Sequence, residues 1–279
     1  MDRITDVGSR IVSSSAYLLP RTSDEYRRLR LQSGIWEPAT TRLLDRVGIA
    51  PGARCLDVGC GPGEVLRLLA ERTGPGGSVT GVDVDGAVGR EALSVLRATV
   101  ETPVDFVEGD ARDLDLPAFD VVYVRLVLMH LADPVAFLRR LHDLVAPGGV
   151  LVVQDYDTAG MDTWPRLACW DEFTGVMDGV YARTGGDPRC GLRLPAHFAA
   201  AGIGAPDGTD VAGVLAPIAD TGGFLPASYS SALPAALRLG ITTREKADAC
   251  LAEFAAAAAD RANYVRLPTM VGAYRRKPA

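Results

Sequence analysis

The residues best placed to do chemistry start with Leu56–Glu64, LDVGCGPGE, an apolar stretch that runs into glycines at 59, 61 and 63. Glycine lets a backbone approach a ligand with no Cβ in the way. A helix starting just beyond would offer unpaired N–H groups and the positive end of its dipole. A ligand-free turn between strand and helix has the same look, so spacing has to add information. Asp83 closes the next apolar stretch, about 20 residues on, where an acid can accept from both ribose hydroxyls. Asp110-Ala111 follow a third stretch, where an acid can accept an adenine amino hydrogen. Glu64 occupies the position of the third glycine in a dinucleotide fingerprint, and its charge would repel a pyrophosphate. The three positions together suggest an adenosine site for a ligand without phosphate.

These residues need strand ends to carry them. Strands are expected at Arg54–Val58, Ser78–Asp83, Val104–Glu108, Phe119–Val124 and Val150–Gln154. Helices are expected at Gly63–Arg72, Ala87–Thr99 and Pro134–Val145. Strands alternating with helices of this length argue for βαβ units and a parallel sheet. Runs such as VVYV and VLVV have the continuous apolar character of strands covered on both faces. Such sheets bind ligands beyond the carboxyl ends of their strands. Upstream, residues 24–32 read as a strongly charged helix, followed by a separate helix from Trp36 to Val47. Downstream, 160–187 reads as a helical insertion, 194–201 as a helix and 205–215 as a strand. Residues 217–228 read as a Gly/Pro-rich loop, 243–260 as a helix and Thr269–Tyr274 as a closing strand. The expected divisions are a helical cover (1–48), a ligand-binding core (49–157), a substrate lid (158–204) and the rest of the core (205–279).

LDVGCGPG, GVDVD, VEGDARDLDLP, FDVVYVRLVLMHLADP and LVAPGGVLVVQDY, in that order, resemble the class I S-adenosylmethionine-dependent methyltransferases. The branch is the one that contains the ubiquinone/menaquinone-biosynthesis-like enzymes, and the motif series spans residues 50–156. The resemblance implies an α/β, Rossmann-like, seven-stranded, mostly parallel sheet with helices on both faces. Its last strand would be antiparallel, and a helical lid would cover the site. The cofactor would be S-adenosyl-L-methionine. Asp57 and Gly59 would sit near its methionine moiety and Gly61 near the nucleoside. Asp83 would bind the ribose, Val84 would flank the adenine, and Asp110 and Ala111 would read the adenine edge. Arg125 would lie beside cofactor and substrate.

Methyl transfer from a sulfonium is mainly a matter of aligning nucleophile and methyl. A base is required only when the nucleophile arrives protonated. His130 is the expected base because imidazole titrates near neutrality, with Tyr156 as a second catalytic candidate. Tyr17, Trp36, Asp155 and Trp164 are the candidate substrate contacts, and Gln32 a further one on the N-terminal cover. The aromatics of these segments suggest a small aromatic or polyketide-like acceptor, methylated on O, N or C. A cyclase of the same fold that binds the cofactor without transferring its methyl, or a quinone-biosynthesis C-methyltransferase, is the alternative.

The net charge of −6 weighs against a nucleic-acid partner, which needs a basic surface. No apolar run reaches membrane-spanning length. The five cysteines form no CxxC and no metal-like spacing with histidine, so no metal is expected. The expected protein is cytoplasmic, a monomer or homodimer acting on a small molecule.

Overall fold

The computed structural model describes residues 23–279. Tyr17 lies outside them. The first element is α1 (Ser23–Val47), followed by the alternation β1 (Arg54–Val58), α2 (Glu64–Thr73), β2 (Ser78–Asp83), α3 (Gly86–Thr99) and β3 (Val104–Glu108). Next come β4 (Phe119–Arg125), α4 (Pro134–Asp143) and β5 (Val145–Asp157). The C-terminal part holds β6 (Asp162–Trp164), α5 (Trp170–Thr184), α6 (Cys190–Ala200), β7 (Gly208–Ala212) and β8 (Leu215–Pro217). It ends with α7 (Phe224–Arg238), α8 (Arg244–Ala258), β9 (Tyr264–Arg266) and β10 (Thr269–Arg276).

Seven strands form one sheet in the order β3-β2-β1-β4-β5-β10-β7. The first five are parallel, and β10 runs antiparallel between β5 and β7. The expected fold class is therefore the observed one. The strands alternate between two cores. Cys55, Val121, Tyr123 and Val152 face Leu43 and Leu44 of α1 and the apolar stripe of α2. Leu56, Val122, Val124 and Val153 face the other way, towards α4, α6 and the helices after them. Gly272 of β10 brings α1 close, since a Cβ there would lie 2.7 Å from Leu43 Cδ2.

Three local readings are corrected. Residues 24–47 form one helix, not two, and Pro38 lies inside it. Ser33 and Thr40, on either side of that proline, are buried at 7 % and 0 % exposure. Tertiary contacts to these turns outweigh the weak local propensity of Ser33-Gly34. The Gly/Pro-rich segment is not a loop throughout: α7 starts at Phe224. Pro226 falls in its first turn, where a missing N–H costs nothing. Leu225, Tyr229, Ala232 and Ala236 give it a buried stripe. Finally, a small antiparallel sheet, β6-β9-β8, accompanies the helices after Asp157.

Candidate functional site

The switch point of the sheet lies between β1 and β4, and the glycine turn sits at its carboxyl end. Gly59 has φ +72°, in the left-handed region. A Cβ there would also meet Val127 Cγ2 at 2.5 Å. Gly59→Ala is expected to cost about 1–3 kcal/mol from backbone strain alone, read from urea unfolding; a loss under ~0.5 kcal/mol would mean the turn adapts.

The amides of Gly59 and Cys60 donate to the Val82 carbonyl at 2.7 and 3.1 Å. Gly61 N–H donates to Asp83 Oδ2 at 2.8 Å, and Asp85 N–H donates to Asp83 Oδ1 at 2.8 Å. Asp83 thus ties the glycine turn to the β2–α3 turn. Asp85 caps α3 through the amides of Ala87 and Val88, and accepts from the Tyr26 hydroxyl of α1 at 2.8 Å. Val84 between them is 40 % exposed. At the end of β3, Asp110 is paired with Arg112, whose guanidinium holds the carboxyl below its ordinary range. Ala111 is buried, and its carbonyl accepts from Arg140.

Asp57 is 2 % exposed, and its Oδ2 has no hydrogen-bond partner among the described residues. Burial pushes its carboxyl up to about 7; Arg125 opposes that rise and Asp83 adds to it. Arg125, at the end of β4, donates to Ser33 Oγ at 2.8 Å and Thr40 Oγ1 at 3.1 Å. Thr40 in turn donates to Gln154 Oε1 at 2.8 Å, and Tyr123 donates to the same oxygen.

After β4 the chain passes Leu126 at φ +57°, a left-handed non-glycine residue. It then makes a 3₁₀ turn at Leu128–His130. Asp155, fully buried, fixes this turn by accepting from the Met129 amide at 3.1 Å. Its other oxygen accepts from the Tyr156 amide at 2.9 Å. Asp155 is therefore a support beneath His130. The His130 ring stacks on Tyr181 of α5, with centroids 5.6 Å apart. Burial pushes its imidazole down to about 4, helped by the Arg28 cation and opposed by Glu25. The expectation of titration near neutrality is corrected: His130 is neutral at pH 7.

Tyr156, 5 % exposed, has its ring 5.6 Å from that of Trp36. Its hydroxyl accepts from Gln32 Nε2 at 2.8 Å. Arg28 donates to Gln32 Oε1 at 3.1 Å and pairs with Glu25 at 2.6 Å. Residues 24–32 read as a strongly charged helix, and within it Glu25 and Arg28 are 2 % and 6 % exposed. Their i, i+3 spacing was the available signal, and it does not say which face a helix buries. Trp164 does not join this group. It is 76 % exposed on β6, opposite Tyr264 of β9. His142, half-buried on α4, and His197 on α6 lie outside these bonds.

The site fits an adenosyl ligand with an amino-acid end. It offers a glycine turn stripped of Cβ atoms, a loop carboxylate and a buried orphan carboxylate oxygen beside an arginine. This defines the class: the methyltransferase-domain family matches residues 24–180, and the chain belongs to it. S-adenosyl-L-methionine is the cofactor. The chain is 38 % identical over 116 residues to nocamycin O-methyltransferase of Saccharothrix syringae, covering 41 % of each. It is 34 % identical over 131 residues to the ubiquinone/menaquinone biosynthesis C-methyltransferase of Ectopseudomonas mendocina, covering 45 % of this chain and 49 % of that one. The chain thus spans less than half the length of these two relatives. A putative methyltransferase from Bacillus halodurans shares the fold, with TM-score 0.57 at 16 % identity, over 86 % of this chain and all of that one. Among the described residues no helix is long and apolar enough to cross a membrane, and no three His, Cys, Asp or Glu side chains are grouped for a metal.

Proposed function

We propose that this chain transfers the methyl group of S-adenosylmethionine to an oxygen or carbon of a small secondary-metabolite or aromatic acceptor. The observation that carries the cofactor half of the reading is Asp57, a buried carboxylate with an orphaned oxygen beside Arg125. Burying an unpaired acceptor costs about 1–3 kcal/mol, which a ligand donor would offset. Asp57 would hold the ammonium of the amino-acid end and Arg125 its carboxylate. Asp83 would hold the ribose hydroxyls, and Asp110 and Ala111 the adenine edge beside Val84. When bound, the cofactor supplies an activated methyl on a sulfonium.

The acceptor half of the reading rests on the His130 turn. His130 is uncharged, so its ring can accept a hydrogen bond from the acceptor and orient it, while a value near 4 makes it a weak base for a nucleophile that arrives protonated. Tyr181 and Asp155 fix the ring and the turn beneath it. Tyr156 stays protonated, because burial raises its phenol above the ordinary value, and can orient an acceptor oxygen. The division 1–48, 49–157, 158–204 and 205–279 into cover, core, lid and remainder is part of the same proposal. The relatives that modify nocamycin and quinones support a small acceptor.

The test is calorimetry with S-adenosylhomocysteine, followed by a screen of phenolic and polyketide acceptors with product analysis. Stoichiometric formation of S-adenosylhomocysteine supports transfer; a rearranged, unmethylated product would favour the cyclase alternative. His130→Ala is expected to lower kcat at least 100-fold, about 2.7 kcal/mol, with the cofactor Kd unchanged within about twofold. An untouched kcat would make His130 structural. With its folded-state value near 4, His130 keeps one charge state above about pH 5. The wild-type kcat at saturating cofactor should therefore show no histidine limb between pH 5.5 and 7.5.

A further inference from the structure

Asp57, Tyr123, Arg125 and Gln154 form a polar row across three neighbouring strands. Asp57 pairs in register with Tyr123, and Arg125 with Gln154. All four lie on the sheet face whose core packs against α1 and α2. Among the described residues Arg125 has no carboxylate partner, and its bonds go to the hydroxyls of Ser33 and Thr40 on α1. Thr40 accepts from Arg125 and donates to Gln154 Oε1, so its orientation is fixed from both sides. A guanidinium held by neutral hydroxyls keeps its charge available for an anion, whereas a carboxylate partner would have spent it.

We propose that Ser33 and Thr40 are positioning residues that hold Arg125 beside Asp57, making the seating of α1 part of the binding site for the amino-acid end of the cofactor. The inference rests on the cofactor reading above. It goes further in assigning a role to two α1 side chains that touch neither the glycine turn nor the strand-end acids. The charged and titratable groups facing Asp57 are Arg125 and Tyr123 on β4, Asp83 on β2 and Cys60 in the glycine turn. From α1, Ser33 and Thr40 meet the row with hydroxyls.

The experiment is calorimetric titration of the full chain with S-adenosylhomocysteine from pH 5.5 to 8.5. The wild type should bind with a nearly constant Kd above about pH 8, since Asp57, with its carboxyl pushed up to about 7, is then mostly ionised. Below that, Kd should rise up to about tenfold per pH unit. In Ser33→Ala/Thr40→Val, Arg125 is released and Asp57 loses its nearest cation, so its midpoint moves up in pH. The Kd at pH 8 should rise at least tenfold. Ser33→Thr/Thr40→Ser, which keeps both hydroxyls, should behave as wild type. If the double variant does not fold, Ser33→Ala alone should show the same direction with at least a threefold loss. Unchanged Kd and midpoint in the hydroxyl-less variants would overturn this inference alone. A wild type that does not bind S-adenosylhomocysteine would overturn the cofactor reading and this inference with it.

Discussion

Asp83→Ala is expected to weaken S-adenosylhomocysteine binding by at least 100-fold. The carboxylate does two jobs. It holds the Gly61 and Asp85 amides, and so fixes two turns relative to each other. In the proposed site it also accepts from the ribose. A charged hydrogen bond contributes about 1.5–3 kcal/mol, and 100-fold corresponds to about 2.7 kcal/mol. Losing the ribose contacts and the turn geometry together exceeds that figure. Asp83→Asn separates the two jobs. One amide oxygen still accepts, but the NH₂ cannot, so one of the two turn amides loses its partner. Its Kd should fall between those of wild type and Asp83→Ala. Calorimetry reads both variants, and an Asp83→Ala Kd within threefold of wild type would sink the assignment.

The largest stability loss is expected from Arg28→Met. It would take from Glu25, buried at 2 % exposure, the guanidinium that pairs with it at 2.6 Å, while the Ser231 hydroxyl remains. Removing one member of a buried pair costs about 3–5 kcal/mol. For a chain of this size each kcal/mol lowers Tm by about 2–4 °C, so a fall near 10 °C is the expected reading. Glu25→Gln in the same background removes the buried charge that lost its Arg28 partner and should recover at least half of the loss. Loss of the Arg28 cation should also let the His130 value rise, since that cation is one of the two causes holding it down. Urea unfolding and NMR titration of the imidazole measure the two effects. A single variant within about 1 kcal/mol of wild type would show that the other partners of Glu25, or water, compensate for Arg28.

The parallel strands and the turn that carries Gly59 and Gly61 were legible because each rests on a local signal. Continuous apolar runs give the strands, and glycines at strand ends give the turns. α1 was harder. Ser33-Gly34 and Pro38 read as a break, yet the helix runs through because Arg125 reaches both Ser33 and Thr40 from the sheet. α7 was hidden behind Gly222-Gly223 and its two prolines, and only the buried stripe along it declares the helix. The charged run 24–32 has no apolar periodicity that would mark a buried face. Its burial comes from α7, a partner about 200 residues away in sequence.

The glycine turn after β1 is the feature that the sequence alone determined most fully. Gly59, Gly61 and Gly63 dictate its left-handed backbone, and Asp83 and Asp110 follow at the next two strand ends. Tertiary structure decided what those acids hold. Asp83 spends its oxygens on two turns, Asp110 on Arg112, and Asp155 on the turn beneath His130. It also decided the charge state of His130, because packing and the nearness of Arg28 set that value, and neither is a property of the residues around His130 in the chain. Backbone conformation is a local property of residue type. The partner of a polar side chain, and the polarity around it, depend on which distant elements the core brings together.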